Sequence, residues 1–314
     1  MTIHKSLIDL FSKSTARAAY GASLFIGKND KNGADKAAVD EMRKYLNTIN
    51  MSGIVVIGEG ELDEAPMLYI NEKLGTGTGE ELDIAVDPLE GTNFTAKNLP
   101  NSLSVIAVAK KKCLLQAPDM YMEKIAIGPG LPKNLIDLDN SVKKNIELLA
   151  EAKNTSPENL IACVLERKRH DHIVESLRSL KVKINFISDG DVSGVISVAL
   201  PQSKTDIYLG IGGGPEGVLA AAALKCLGSQ MQTRLKFYEN EEKERVKKMG
   251  IVDLNFKYNI DDMVKGDVIF CATGVTDGDL VKGIKDLGDY FESETFVLHE
   301  STKTKKILKN KMKK

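Results

Sequence analysis

The chain has 314 residues, of which 42% are hydrophobic and 28% charged, and its 43 basic and 44 acidic side chains leave a formal net charge of −1. This length suits one large domain or two of medium size, and the balanced charge excludes a general attraction to nucleic acid or to an anionic membrane. An anionic substrate must therefore be bound by a local site.

The cysteines are far apart in the sequence and form no CxxC pair, which indicates a reduced, cytoplasmic protein. Residues 1–11 carry Lys5 and Asp9 and no long apolar core, so they are not expected to be a signal peptide. No apolar run approaches the roughly 18 residues that span a bilayer. The lysine-rich residues 303–314 are expected to be a frayed, solvated terminus.

The N-terminal half shows helical and strand patterns in turn. Apolar residues at helical spacing predict a helix from about residue 7 to 24 and a second one from Asp35 to about Asn50. Strands are predicted, in chain order, at residues 54–57, 82–86, 102–109 and 113–116, the last two as a hairpin. Pro88 is expected to end the strand before it.

The pattern changes near residue 155, where Ser156, Pro157 and Glu158 form a helix-start signal. Further strands are predicted at residues 160–165, 182–187, 206–211, 267–272 and 295–299. Helices between them predict an α/β half with a parallel or mixed sheet. We therefore expect an N-terminal metal-binding α+β domain at 1–155 and a C-terminal α/β domain at 156–314.

The segment Asp87-Pro88-Leu89-Glu90-Gly91-Thr92 follows directly on a predicted strand. Two carboxylates and a hydroxyl on one tight loop suit a hard divalent cation, and glycine lets a ligand approach the backbone. The alternative is an ordinary acidic turn in which Thr92 caps a helix.

Two further acidic segments lie upstream. Residues 58–66 hold four acids in six positions at another strand exit, and a cation would relieve their mutual repulsion; a solvated acidic loop is the alternative. Asp35 ends the segment Lys31-Asn32-Gly33-Ala34-Asp35 at a predicted helix start, where it is either a ligand or a helix cap.

The glycine-rich segment at 210–217 follows a strand, and Pro215 opens an alanine-rich helix with Glu216 in its first turn. Gly212, Gly214 and Gly217 also satisfy the spacing of a dinucleotide site, and Glu239 lies at the distance of its ribose-binding acid. The negative charge of Glu216 would, however, repel a pyrophosphate. A dinucleotide site would also leave the acidic segments upstream unexplained.

A cationic cluster of Arg167, Lys168 and Arg169 follows a predicted strand and could bind a phosphate dianion, or be plain surface charge. Asp189, Gly190 and Asp191 follow the next strand, where acids suit sugar hydroxyls or cap a helix. His170 and His172 are too close in sequence for a zinc site, so Mg²⁺ or Mn²⁺ is favoured as the metal.

Taken together, the motifs resemble those of the class II (GlpX-type) fructose-1,6-bisphosphatases over nearly the whole chain. They are DKNGAD at 30–35, VIGEGELDEAPMLYI at 56–70, DIAVDPLEGT at 83–92, APDMYMEK at 117–124, RHD at 169–171, SDGDV at 188–192, GIGGGPEG at 210–217 and CATGVTDGDL at 271–280. The loop at 87–92 is also similar to that of the lithium-sensitive phosphatases, which include the inositol monophosphatases. The resemblance implies an α/β class: a layered α/β sandwich of the sugar phosphatase type with two sub-domains.

The resemblance also implies the roles of individual residues. The implied metal ligands are Asp35, Glu59, Asp87, Glu90 and Glu216. The implied substrate contacts are Glu90, Gly91, Thr92, Tyr121, Arg167, Lys168, Arg169, Asp189, Gly190, Asp191 and Gly213. By analogy with the wider phosphatase group, Thr92 and Asp63 activate a water molecule and Lys31 adds positive charge. The family often has Lys-Pro-Arg in place of Arg167-Lys168-Arg169, and Ala in place of Gly214.

The implied activity is that of a phosphoric monoester hydrolase in carbohydrate metabolism. It is the metal-dependent hydrolysis of the 1-phosphate of fructose 1,6-bisphosphate, which yields fructose 6-phosphate in gluconeogenesis. Sedoheptulose-1,7-bisphosphatase or dual bisphosphatase activity is the nearest alternative, and a dinucleotide-binding oxidoreductase a distant one. The expected partner is a sugar bisphosphate, with neither nucleic acid nor membrane, and the resemblance implies a homo-oligomer.

Overall fold

A computed structural model describes residues 2–58 and 67–314 of the chain. These residues form two compact units, Met1–Gln116 with Val264–Lys314 (unit 1) and Ala117–Met263 (unit 2). The domain boundary expected near residue 155 falls inside unit 2. The division differs because the chain returns to unit 1 after residue 263 and adds strands to its sheet, which a reading along the sequence does not reveal.

The secondary structure alternates through both units. The helices are α1 (Leu7–Ser23), α2 (Lys31–Leu46), α3 (Thr92–Ala96), α4 (Val142–Ala152), α5 (Asp171–Ser179), α6 (Asp191–Ile196), α7 (Gly214–Leu227), α8 (Asn240–Lys248) and α9 (Ile260–Met263). The strands are β1 (Met51–Ile57), β2 (Lys73–Leu74), β3 (Glu80–Glu90), β4 (Leu103–Lys110), β5 (Tyr121–Ile127), β6 (Ile161–Leu165), β7 (Lys183–Ile187), β8 (Ile207–Gly213), β9 (Gln230–Leu235), β10 (Tyr258–Asn259), β11 (Val268–Gly274), β12 (Lys285–Asp286), β13 (Tyr290–His299) and β14 (Thr304–Lys313). None of these described helices combines the length and apolar character needed to cross a membrane.

Unit 1 is built on a sheet with the strand order β12-β13-β11-β4-β3-β1-β2, and β14 pairs with β13. Strands β1 and β3 are parallel, whereas the other described pairs are antiparallel. Helices α1 and α2 pack against each other and against the sheet. The apolar core between them includes Phe11, Met42, Ile84, Val108 and Val297. Burying such side chains contributes about 1.5–3 kcal/mol each.

The expectation that residues 303–314 fray is wrong, because they contain β14. This strand pairs with β13 over its whole length, from Thr304 opposite His299 to Lys313 opposite Tyr290. Leu308 packs on the core and Asn310 is buried, while the lysines of β14 are exposed. Lysine on an edge strand hinders pairing with further chains, so a lysine-rich composition and a strand are compatible.

Unit 2 contains a mixed sheet in the order β10-β9-β5-β8-β6-β7. Strand β6 is parallel to β7 and β8, and β5 is antiparallel to β8 and β9, so the predicted mixed α/β arrangement is confirmed. Apolar residues of α4 and α5 pack on it, including Ile146 and Leu177 against Ile125, Val164 and Ile207. Strands β5 and β9 were not predicted. The strand predicted at 113–116 is wrong, because Leu114 forms only a single bridge, to Val264.

Candidate active site

In unit 1, the end of β3 brings two predicted metal ligands together. The ladder between β3 and β4 is regular up to Asp87, shifts its register at Pro88, and resumes at Glu90 opposite Leu103. Pro88 therefore produces an irregularity inside the strand rather than its end. Asp87 is half-buried and Glu90 is buried, and each offers a carboxylate oxygen within 4.8 Å of the other. Two acids this close favour a bound cation.

The backbone after Glu90 turns sharply through Gly91. Its φ of +80° lies in the left-handed region, and Phe94 packs 2.7 Å from where a Cβ would stand. Glycine is required here on both counts. The turn places Thr92 as the first residue of α3, and the Ser102 hydroxyl donates to the Glu90 carbonyl at 3.2 Å. The backbone beside the two acids is thus fixed.

Helix α2 packs against α3 and carries two further candidates. It begins at Lys31, earlier than predicted, because the Asp30 side chain accepts a hydrogen bond from Gly33 N at 2.8 Å. The cap is therefore Asp30. Asp35 lies one turn into the helix, so the alternative of a helix-capping Asp35 is wrong. Lys31 is exposed and Asp35 is half-buried.

Two predicted site residues, Glu59 and Asp63, lie outside the described residues, together with the rest of segment 59–66. Strand β1 ends at Ile57, next to β3 in the sheet and parallel to it. Because parallel neighbours end at the same edge of a sheet, β1 ends at the edge at which Asp87 and Glu90 lie.

In unit 2, the glycines that join β8 to α7 make room for two carboxylates. A Cβ at Gly213 would collide with the Glu216 carboxylate, and one at Gly212 with that of Asp191. These side chains occupy the space over the glycines, which does not favour a pyrophosphate there. An alanine at Gly214 would meet the carbonyl oxygens of Met120 and Pro118 at 3.1 Å, so a small shift accommodates the residue common in the family.

Glu216 lies in the first turn of α7. Its Oε2 atom is buried and has no hydrogen-bond partner among the described residues. Burial raises the pKa of this carboxyl, while the charge of Lys124 opposes the rise. A buried carboxylate oxygen without a donor is costly, and a cation would remove that cost.

Asp191 and its neighbours form a buried network. Asp191 is 8% exposed, and its two oxygens accept hydrogen bonds from the Lys124 ammonium and the Tyr208 hydroxyl. Burial and the adjacent Asp191 charge raise the pKa of Tyr208, which therefore remains a donor. Asp189 is half-buried and its Oδ1 accepts from Gly190 N at 3.2 Å. The substrate contacts expected at these acids and at Gly190 stay predictions.

The cationic cluster Arg167-Lys168-Arg169 was expected to bind one phosphate, but its side chains have different neighbours. The Arg169 guanidinium carbon lies 4.7 Å from the ring centre of Tyr121, and its Nε donates to the Ile211 carbonyl at 2.9 Å. Arg167 and Lys168 instead line a 330 Å³ cavity that also contains Arg178 and Phe186. Arg169 is the member of the cluster that shares a neighbourhood with predicted site residue Tyr121.

His170, the residue after Arg169, connects two strands of unit 2. It is fully buried, accepts from Ile211 N at 2.8 Å through Nε2, and donates through Nδ1 to the Leu165 carbonyl at 2.7 Å. Burial lowers the pKa of the ring, which keeps it neutral. The sequence argument that His170 is not a zinc ligand agrees with this role, but its function in joining β6 to β8 was not foreseen.

Lys124 and Tyr208 are buried partners of predicted site residue Asp191 that sequence reasoning missed. A lysine within a strand of otherwise apolar residues, as in Lys124-Ile125-Ala126-Ile127, was the available signal, since a lysine is rarely buried without a partner. Tyr208 carried no comparable signal, because tyrosine is ordinary in a buried strand.

Comparisons of the whole sequence with known proteins identify the family of this chain. The family described as bacterial fructose-1,6-bisphosphatase, glpX-encoded, matches residues 5–312. The class 2 fructose-1,6-bisphosphatase of Haemophilus influenzae is 42% identical, and fructose-1,6-bisphosphatase 1 class 2 of Escherichia coli is 44% identical. Each match covers 96% of this chain and 94% of the relative.

Among solved structures, an inositol monophosphatase–fructose 1,6-bisphosphatase matches with 15% identity and a TM-score of 0.37, over 66% of this chain and 75% of the other. This TM-score is too low to establish a shared fold. The predicted family is confirmed by the sequence matches, and the chain belongs to the glpX-encoded family of bacterial fructose-1,6-bisphosphatases.

Proposed function

We propose that this protein hydrolyses the 1-phosphate of fructose 1,6-bisphosphate, giving fructose 6-phosphate and phosphate. The observation that carries the proposal is the full-length match to the family, with the expected carboxylates present in the chain. Fructose 6-phosphate is an intermediate of gluconeogenesis, and the four cysteines, which form no disulfide, favour a cytoplasmic setting for that pathway.

We propose Asp35, Glu59, Asp87, Glu90 and Glu216 as the ligands of divalent cations. The described members fit this role, because Asp87 and Glu90 offer close oxygen donors and Glu216 has a buried oxygen without a hydrogen-bond partner among the described residues. A site of carboxylate oxygens suits Mg²⁺ or Mn²⁺ rather than a metal that prefers sulfur or nitrogen. A cation bound there neutralises phosphoryl oxygens and lowers the pKa of a bound water.

The chain's own groups would orient the reactants. The Thr92 hydroxyl, fixed at the start of α3 by the Gly91 turn, would hold the attacking water, and Asp63 would accept its proton. Lys31 would add positive charge beside the phosphoryl group. Substrate contacts are proposed for Glu90, Gly91, Thr92, Tyr121, Arg167, Lys168, Arg169, Asp189, Gly190, Asp191 and Gly213. Among them, the Arg169 guanidinium, which lies beside Tyr121, would hold the phosphate that does not react.

Phosphate release tests the proposal. Fructose 1,6-bisphosphate should be cleaved in Mn²⁺ or Mg²⁺ and left intact in excess EDTA, with activity restored when the metal returns. Sedoheptulose 1,7-bisphosphate and inositol 1-phosphate belong in the same panel. Faster cleavage of the sedoheptulose ester would favour the alternative activity, and no release from any ester would refute the proposal.

Two variants examine the ligands directly. Asp87→Asn and Glu90→Gln should each lower kcat by about 10²-fold or more, because they remove charge where the transition state needs it stabilised. Glu81→Gln is the matched control, since Glu81 lies on the same strand in an exposed pair with Lys111. It should keep full activity. Wild-type kcat in both ligand variants would reject the assignment.

The homo-oligomer implied by the family also remains a proposal. Light scattering on a size-exclusion column should give a mass that is a multiple of the 34.3 kDa chain. A single-chain mass at assay concentrations would contradict it.

A further inference from the structure

An aromatic pair in unit 2 lies beside the Arg169 side chain. The rings of Tyr121 and Tyr238 meet edge to face, with centres 5.9 Å apart and planes at 86°. Arg169 lies against the Tyr121 ring with its guanidinium carbon 4.7 Å from the ring centre. Tyr238 thus contacts the same ring that the arginine stacks on. Neither the sequence motifs nor the family resemblance pointed to Tyr238.

The backbone on both sides of this pair is fixed by hydrogen bonds. Lys236 N donates to the Tyr121 carbonyl at 2.8 Å, which ties the end of β9 to the start of β5. Tyr238 N donates to Glu242 Oε2 at 2.7 Å, as part of the capping interactions that begin α8. The backbone of Tyr238 is therefore held in place, and its ring packs on Tyr121, although 56% of the residue is exposed. An aromatic that is half exposed yet fixed in position suggests a role beyond packing.

One nitrogen of the Arg169 guanidinium forms a hydrogen bond with the described part of the protein, and this bond orients the group. Its Nε donates to the Ile211 carbonyl at 2.9 Å, the one hydrogen bond that it forms with the described residues. Its two terminal nitrogens remain able to donate, in the paired geometry that matches a phosphate. Because guanidinium groups stack favourably on aromatic faces, the orientation of this fork depends on where the Tyr121 ring lies.

We propose that Tyr238 is a positioning residue for the phosphate that does not react. It holds the Tyr121 ring, the ring holds the Arg169 guanidinium, and the guanidinium binds the second phosphate of the sugar bisphosphate. Tyr238 thereby contributes to the preference for bisphosphates over monophosphates. The inference rests on the proposed function, since it assigns Arg169 to the second phosphate of that substrate. Arg167 and Lys168, which line a separate cavity with Arg178, are left outside this arrangement.

Steady-state kinetics of Tyr238→Ala test the inference. For fructose 1,6-bisphosphate, KM should rise about three- to tenfold, the range expected for loss of one aromatic pair, while kcat changes less than twofold. For fructose 1-phosphate, which lacks the second phosphate, both constants should stay as in the wild type. A merely structural defect would change both substrates alike, and that result would overturn the proposal.

Three further variants sharpen the test. Tyr238→Phe keeps the ring and should restore wild-type values; a loss equal to that of alanine would contradict a role for the ring. Tyr290→Ala is the matched control, because Tyr290 is 43% exposed and lies against a lysine in unit 1. In an Arg169→Ala background, Tyr238→Ala should have no additional effect, since the two act through one contact. An unchanged three- to tenfold effect there would refute action through Arg169.

A binding measurement keeps this result separate from the proposed function. Fructose 6-phosphate carries only the phosphate that does not react, so calorimetry reports on Arg169 without turnover. Its Kd should rise about three- to tenfold in Tyr238→Ala and stay unchanged in Tyr238→Phe. Equal affinity in wild type and Tyr238→Ala, or no binding to the wild type, would overturn the inference. Phosphate release by the wild type decides the proposed function on its own.

Discussion

Replacing Lys124 by methionine should destabilise unit 2 strongly. The Lys124 side chain is completely buried and that of its partner Asp191 is 9% exposed, so solvent screens their interaction little. Methionine preserves most of the side-chain volume but removes the charge. Asp191 then remains buried with the Tyr208 hydroxyl as its only donor among the side-chain partners described above. Removing one member of a buried pair costs about 3–5 kcal/mol.

The expected loss is measurable by thermal unfolding. For a unit of this size, about 4 kcal/mol corresponds to a fall in Tm on the order of 10 °C. Far-UV circular dichroism suits the measurement, because the chain contains no tryptophan and eight tyrosines give only a weak near-UV signal. Unfolding in urea would supply the change in the free energy of unfolding.

Two controls test the reasoning. Lys124→Met combined with Asp191→Asn should recover much of the stability, because the unpaired charge is gone and asparagine can still accept from Tyr208. Lys36→Met breaks an exposed pair with Asp40 and should cost less than about 0.5 kcal/mol. A Lys124→Met variant within about 1 kcal/mol of the wild type, or a double variant less stable than the single one, would refute a buried charge pair.

Two other predictions follow from pKa shifts. Burial raises the pKa of Asp267, but hydrogen bonds from Ile3 N and Ser301 N outweigh this and leave it lowered. Its stabilisation is thus present above the unfolded value of 3.8 and lost as pH falls through the folded pKa. The Asp267→Asn variant should have a lower Tm than the wild type at pH 7, and its Tm should fall less steeply with decreasing pH below about pH 4. A Tm that falls as steeply as that of the wild type would contradict this. Burial raises the pKa of Cys163 to about 12, so alkylation at pH 8 should spare it until unfolding; labelling as fast as that of half-buried Cys226 would contradict this.

Many elements of the fold followed from local patterns. The spacing of apolar residues predicted α1 and the strands β6, β7, β8 and β11 to within about two residues of their observed bounds, whereas only the second half of β13 was predicted. Pro215 and the alanines after it predicted α7. Elements with a mixed pattern were missed. Strand β5 contains a buried lysine, and β14 contains many lysines. Neither sequence shows the alternation of apolar and polar residues that is typical of a half-buried strand, so neither strand was predicted.

The candidate site was predicted as a set of residue types and not as an arrangement. The acid-rich loops stood out because like charges are rarely clustered without a counter-charge. Their order in the sequence did not show that Asp30, rather than Asp35, caps α2, nor that Arg169 separates from Arg167 and Lys168. The cap depends on a hydrogen bond to Gly33, which is close to Asp30 in the chain. The partners of Arg169, which are the Ile211 carbonyl and the Tyr121 ring, are 42 or more residues away.

The sequence by itself determined the chemistry available to this protein: carboxylates and a hydroxyl at strand exits, glycines where a backbone must stay bare, and membership of a family recognisable by ordered motifs. The tertiary structure alone decided the division into units, because the last strands join a sheet begun by the first. It also decided which charges are buried. Whether Lys124 meets Asp191, or Tyr238 meets Tyr121, depends on contacts between segments that are far apart in the sequence, and the free energy of those contacts exists only after the chain has folded.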